Sequence, residues 1–246
     1  MRPRFYVPGV GAALERVELP EDEAEHLVRV LRLGVGNHVD VFDGRGGLWR
    51  AEVVYATKKS VAIRPLEALQ PARELSVPVT LVMSVLKGDK MDDVVRDVVM
   101  LGATAIQPVI SERAETSMAA MARSNRIARW ERIAVSSVKQ CARAVVPPVR
   151  PAMPIDRYWK EAAGVTRVMC VEPSAVNGEV ATVQQVPRSS EVHLIVGPEG
   201  GWSVTEVTAA RESGAILMSL GSRTLRADAV PIVALTALLT TWGELI

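Results

Sequence analysis

The sequence predicts an α/β protein in two parts: a small antiparallel β-barrel, then a larger domain with a mostly parallel sheet. Three observations carry this. Up to about Arg73, short alternating segments are separated by Gly and Asp turns. Beyond Pro78, near-continuous apolar runs are separated by stretches of helical spacing, as expected for strands covered on both faces. The 246 residues are 48% apolar and 23% charged, ordinary values for a chain that builds a packed core, and they exclude disorder and collagen-like or coiled-coil composition.

In the first part, His38 to Phe42 and Leu48 to Tyr55 flank the turn Asp43-Gly44-Arg45-Gly46-Gly47, and Ser60 to Arg64 adds a further strand. One helix is expected over Glu21 to Leu31, between Pro20 and Gly34, with an acidic first turn that suits the helix dipole. Leu66 to Pro78, with Pro71 and Pro78, reads as a linker, which gives domains 1–73 and 74–246.

In the second part, Val79 to Leu86 reads as a buried strand, and Met91, Val94, Val95, Val98 and Val99 recur at helical spacing before Gly102. Ala103 to Ile110, Arg167 to Val171, Val192 to Val196 and Ala215 to Leu220 are the remaining expected strands.

The net charge of +1 gives no global attraction to nucleic acid or membrane. Charge is uneven, however: Arg123, Arg126, Arg129, Arg132, Lys139, Arg143 and Arg150 face Glu131 alone in that stretch. A solvated helix face and a phosphate-facing patch both fit this run. Cys141 and Cys170 are too few for a disulfide framework or thiolate metal site, and His26, His38 and His193 are scattered, so no metal is expected. The apolar run Ala229 to Trp242 contains Pro231 and falls short of the roughly 18 residues of a membrane span. A soluble, cytoplasmic protein without a signal peptide is expected.

The most informative segment is the strand Val192-His193-Leu194-Ile195-Val196 running into Gly197-Pro198-Glu199-Gly200-Gly201-Trp202-Ser203. Ser203 and Glu206 have capping-box spacing, so a helix should follow. Glycines at such a strand end let main-chain groups approach a ligand. The strand Ala215 to Leu220 repeats this pattern with Gly221-Ser222-Arg223-Thr224-Leu225-Arg226-Ala227-Asp228. Neither loop has the spacing of a dinucleotide or triphosphate motif.

GPEGGWS at 197–203 with LGSRTLR at 220–226 resembles the paired signature of the SPOUT methyltransferases, specifically the ribosomal small-subunit RNA methyltransferase E family. RPRFYV at 2–7, HLVRVLRLGVG at 26–36 and FDGRG at 42–46 are similar to that family's PUA-like barrel. KGDKMD at 87–92, LGATAIQP at 101–108, RW at 129–130 and KQCARAVVP at 139–147 are similar to its next blocks. Where the family commonly runs Leu-Arg-Thr-Glu-Thr-Ala, this chain has Leu225-Arg226-Ala227-Asp228-Ala229-Val230.

The resemblance implies a SPOUT domain with a trefoil knot near 192–242, a homodimer, and S-adenosylmethionine as cofactor. It implies methylation of N3 of one uridine in 16S rRNA, alone or in the small subunit. The cofactor would lie against Val171, Glu172 and Pro173, Val196, Gly197, Glu199, Gly200 and Gly201, and Leu220, Gly221 and Leu225. Catalytic candidates are Arg226, to stabilise a uracil anion, and Glu199 or Asp228, to accept the N3 proton. Methylation at C5 would need a cysteine nucleophile, and Cys170 in an apolar strand reads as an inert thiol. Arg2, Arg4, Arg126, Arg129, Lys139 and Arg143 are the expected RNA contacts. Two alternatives are a SPOUT 2′-O-ribose methyltransferase, whose asparagine-rich early block is not seen here, and a non-catalytic RNA-binding protein, against which both glycine loops argue.

Overall fold

The computed structural model describes residues 2–12, 14–162, 164–172 and 179–245. They divide into two compact units, Met1–Glu74 with Val138–Val146, and Leu75–Ser137 with Pro147–Ile246. By its contacts the segment 138–146 groups with the first unit.

The first unit contains β1 (Arg4–Tyr6), β2 (Val17–Glu18), α1 (Glu21–Glu25), β3 (His38–Phe42), β4 (Leu48–Ala56) and β5 (Val61–Ala68). Its sheet has the order β1-β3-β4-β5-β2, antiparallel except for the β1–β3 pair. Register shifts at Arg50/Ala51 and Val53/Tyr55 bend the long β4–β5 ribbon, as bulges do, so the sheet curls around Phe5, Leu27, Val39, Val41, Val53 and Ile63. Asp43 fixes the β3–β4 turn, its Oδ1 accepting the N–H groups of Arg45 (2.7 Å) and Gly47 (2.9 Å). The single helix expected over Glu21 to Leu31 is interrupted. After α1 the chain widens into a π-helical turn over His26–Val30, closed by Leu31 N–H donating to His26 O at 3.0 Å.

The second unit runs β6 (Val79–Ser84), α2 (Lys90–Met100), β7 (Ala105–Ile110), α3 (Met118–Ala122), α4 (Arg126–Cys141, whose last turn belongs to the first unit), β8 (Met153–Pro154), α5 (Ile155–Glu161), β9 (Thr166–Cys170), β10 (Val192–Val196), α6 (Val204–Glu212), β11 (Ile216–Met218) and α7 (Val230–Thr241). Its sheet is parallel throughout, in the order β11-β9-β10-β6-β7-β8. Every residue of β6 and β10 is buried, which explains why these strands read as continuous apolar runs. The apolar face of α2 is Met91, Val94, Val95, Val98 and Val99, and α7 packs against this helix. Chain order reverses beside β6: β7 and β8 extend the sheet one way, while β10, β9 and β11 extend it the other. Parallel sheets open a crevice at the carboxyl ends of strands at such a point. No helix among the described residues is long and apolar enough to cross a membrane.

Three of the expected RNA contacts are internal to the first unit. Arg4 is 8% exposed, and its guanidinium donates to the carbonyls of Val138 (3.1 Å) and Arg143 (2.7 Å), covering main-chain acceptors left open where α4 ends. Arg143 is 4% exposed and its Nε donates to both oxygens of Glu74 at 3.0 Å. Lys139 Nζ meets both oxygens of buried Glu23, at 2.9 and 2.7 Å. A cation withdrawn from water must be matched locally, and these three side chains hold 138–146 to the rest of the first unit.

Lys139→Met should therefore act on stability. It leaves the Glu23 carboxylate, with a side chain only 6% exposed, without its cation and should cost about 2–4 kcal/mol in urea unfolding. Lys139→Met combined with Glu23→Gln should recover much of that loss. Equal losses in the single and double variants would show that the pair is not the origin.

Candidate functional site

A cavity of about 440 Å³ opens at the carboxyl ends of β9, β10 and β11. Cys170 ends β9 and Val171 and Glu172 follow it, Val196 ends β10 and residues 197–202 follow it, and residues 219–221 and 223–228 follow β11. Lys90 of α2, Arg113 beyond β7, Val207 of α6 and Val230 of α7 complete the lining. All the expected cofactor-contact residues among the described ones are brought together here: Val171, Glu172, Val196, Gly197, Glu199, Gly200, Gly201, Leu220, Gly221 and Leu225. Arg226 and Asp228 line the same cavity. Pro173 lies outside the described residues.

The first loop is held by the start of the next helix. Ser203 Oγ accepts the Glu206 N–H at 3.2 Å, and Glu206 Oε2 accepts the Ser203 N–H at 2.9 Å, the capping box that the spacing predicts. The other Glu206 oxygen accepts the Glu112 N–H at 2.8 Å, so one carboxylate, only 4% exposed, also ties down the loop carrying Arg113. Arg113 then donates to Gly200 O at 3.1 Å. A Cβ on Gly200 would stand 3.2 Å from Cβ of Arg113, tighter than most such contacts, so a side chain there would push the two loops apart by a few tenths of an ångström. Trp202 donates its indole N–H to Cys170 O at 3.0 Å, capping the end of β9.

The second loop turns at Gly221, whose φ of +109° is rarely open to a residue with a side chain. Ser219 Oγ bridges this turn, donating to Gly221 O at 3.1 Å and accepting its N–H at 3.2 Å. The expected strand Ala215 to Leu220 is shorter than its apolar run, because Ser219 and Leu220 leave the ladder to line the cavity.

The charged groups here come in pairs. Lys90 Nζ donates to Glu199 Oε1 at 2.8 Å, and the Lys87 N–H reaches the same oxygen at 3.3 Å. Arg226 forks onto Asp228 through Nε–Oδ1 at 3.0 Å and Nη2–Oδ2 at 2.7 Å. Burial pushes the Glu199 carboxyl up, but the hydrogen bonds from Lys90 and from main-chain N–H groups outweigh it and leave the group below its ordinary value. The hydrogen bond from Arg226 lowers Asp228 in the same direction. Cys170 also lines the cavity, and burial pushes its thiol up to about 12.

The lining residues that were not picked out as site residues from the sequence include Lys90, Arg113 and Trp202. Lys90 and Trp202 lie inside segments already singled out, whereas Arg113 follows a strand in a loop without periodicity. Of the other expected RNA contacts, Arg2 is exposed, Arg126 donates to Thr116 Oγ1 at 3.2 Å, and Arg129 is paired with Asp89 and Asp92.

Two family descriptions match the chain: an RNA methyltransferase domain over residues 73–239 and an RNA methyltransferase PUA domain over residues 19–66. The ribosomal RNA small subunit methyltransferase E of Synechocystis sp. is 33% identical over 89% of this chain and 71% of its own length. The protein of the same name from Bacillus subtilis is 27% identical over 88% of this chain and 87% of its own. A crystal structure of ribosomal RNA small subunit methyltransferase E from Neisseria gonorrhoeae, bound to S-adenosylmethionine, superposes with a TM-score of 0.89 at 32% identity, covering 98% of each chain.

The Lys90–Glu199 pair makes a pH-dependent contribution of definite sign. A carboxyl lowered in the folded state stabilises the protein above the ordinary carboxylate midpoint, and that contribution is lost as pH falls through the folded midpoint. A carboxyl-detected NMR titration should place Glu199 below a free glutamate, and Lys90→Met should raise it. An unmoved midpoint in Lys90→Met would leave the lowering to the main-chain donors alone.

Proposed function

The chain belongs to the ribosomal RNA small subunit methyltransferase E family, and from that membership we propose that it transfers a methyl group from S-adenosylmethionine to N3 of one uridine in 16S rRNA. The observation that carries this reading is that both glycine loops and Arg226 converge on one cavity.

The lining fits the cofactor. Val171, Val196, Leu220, Leu225 and Val230 are apolar, the loop main chain offers N–H and C=O groups, and Glu172 supplies a carboxylate outside the Lys90–Glu199 and Arg226–Asp228 pairs. A flat neutral ring and a cationic sulfonium suit this surface, and the volume lies in the range of about 300–1,000 Å³ usual for small-molecule sites. When bound, S-adenosylmethionine supplies an electrophilic methyl group. The residues of this chain then have to orient the uracil and manage one proton.

Neutral uracil has no in-plane lone pair at N3, so its proton must leave as the new bond forms. Arg226 is assigned to the negative charge that develops on the ring. Glu199 and Asp228 are both lowered by their cation partners, the reverse of the tuning expected for a base working near neutrality. They act better as anchors, Glu199 for its loop through Lys90 and Asp228 for the direction of Arg226, with the proton passing to water. Cys170, with its thiol pushed up to about 12, is not a nucleophile of the kind that C5 methylation requires. The homodimer belongs to the same reading, supported by Ile232 and Val233 of α7, which stand 37% and 40% exposed.

Mass spectrometry of 16S rRNA from cells lacking the protein should show one N3-methyluridine missing, and the purified chain with S-adenosylmethionine should restore it. Arg226→Ala should lower turnover about 100-fold, as for loss of one preorganised charge, and leave cofactor affinity unchanged. Raising the pH should help this variant more than the wild type, because more uracil ionises unaided. If Glu199→Gln shows the loss and the pH rescue instead, the carboxylate is the group that handles the proton.

A further inference from the structure

Pairing the charges around the cavity leaves Arg113, Arg223 and Glu172 outside the ion pairs, an excess of one cation among the described lining residues. Lys90 is engaged by Glu199 and Arg226 by Asp228. Arg113 reaches a neutral acceptor, Gly200 O, and Arg223 has no partner among the described residues. Both are exposed, and both line the cavity, one against each glycine loop. Arg113 is also placed by design of the loop: the Glu206 carboxylate holds the neighbouring Glu112 N–H, and Gly200 accommodates the Arg113 Cβ.

The exposure of these side chains decides the kind of anion. A lone small anion gains little from an exposed guanidinium, since water and salt screen the attraction. A polyanion gains more, because each phosphate neutralised releases condensed counterions, and the guanidinium fork matches two phosphate oxygens. The basic run of the sequence offers less than it promises: Lys139 and Arg143 are engaged by Glu23 and Glu74, and Arg129 by Asp89 and Asp92.

We propose that Arg113 and Arg223 bind the phosphates that flank the nucleotide entering the cavity, so that the RNA strand is seated at the mouth of the site itself. This rests on the methyltransferase reading given above. It adds an anchor at the point of chemistry, where a guanidinium sets the register of the strand and Arg226, held by Asp228, is left to serve the base.

The test uses the full-length protein and a short fluorescein-labelled single-stranded oligoribonucleotide containing one uridine, titrated at several potassium chloride concentrations. Arg113→Gln and Arg223→Gln should each reduce the log–log salt slope by about 0.7, the value for one phosphate on a single strand. Arg129→Gln should leave it nearly unchanged. Affinity for S-adenosylmethionine, read by calorimetry on the same samples, should not move. Because Arg223 makes no hydrogen bond to a described residue, its variant should fold as the wild type and keeps the test clean even if Arg113→Gln disturbs the Gly200 loop. Unchanged slopes in both arginine variants overturn the proposal. So does a loss of cofactor affinity with the slope intact, which would assign these side chains to the cofactor's carboxylate. If the wild-type chain binds no S-adenosylmethionine, the methyltransferase reading fails, and the slopes still decide the phosphate assignment separately.

Discussion

The parallel pairing of β10 between β6 and β9 is the constraint on which the second unit depends. With both faces of these strands buried, every N–H and C=O along them must be met by a neighbouring strand, and the ladder supplies that from Val192 to Val196. Only at the strand ends does the main chain become available. The cavity follows from this pairing: three parallel strands stop side by side, and the loops that leave them need main-chain freedom and new hydrogen-bond partners. Trp202, Ser219 and Glu206 provide those partners.

Charge is managed differently in the two units. In the barrel unit, cations are drawn inward and matched: Arg4 with the carbonyls at the end of α4, Lys139 with Glu23, Arg143 with Glu74. Around the cavity the pairs sit in the open, with Arg226 73% exposed beside Asp228 at 26%. A screened pair of this kind contributes little to stability, and its carboxylate can exchange for another anion at small cost. The same residue types therefore serve as structural ties in one setting and as adaptable contacts in the other.

Much of the fold was legible because periodicity reports burial. The strands His38–Phe42 and Val192–Val196 have the bounds that the sequence suggests, and the Ser203–Glu206 capping box closes as its spacing requires. What escaped has specific causes. The π-helical turn over His26–Val30 adds one residue to a helical turn without changing the apolar pattern enough to be seen. The inward direction of Arg4, Lys139 and Arg143 depends on partners distant in sequence, which charge counting along the chain cannot supply. The two glycine loops of the candidate site were plain, but Lys90 arrives from the start of α2 and Arg113 from the loop after β7, and only the sheet order brings them there.

Trp202 has a consequence beyond capping β9. Its indole lies in the cavity wall, with its N–H fixed on Cys170 O and its ring packed over Gly197, while the other four tryptophans, half-buried Trp49 and Trp159 and buried Trp130 and Trp242, stand outside the lining and give a constant background. An indole held this way emits according to the polarity and hydration of the space it faces. The molecule thus carries its own optical probe of the cavity, and the displacement of water from that space is readable as a change in colour and intensity of emission without any label being attached.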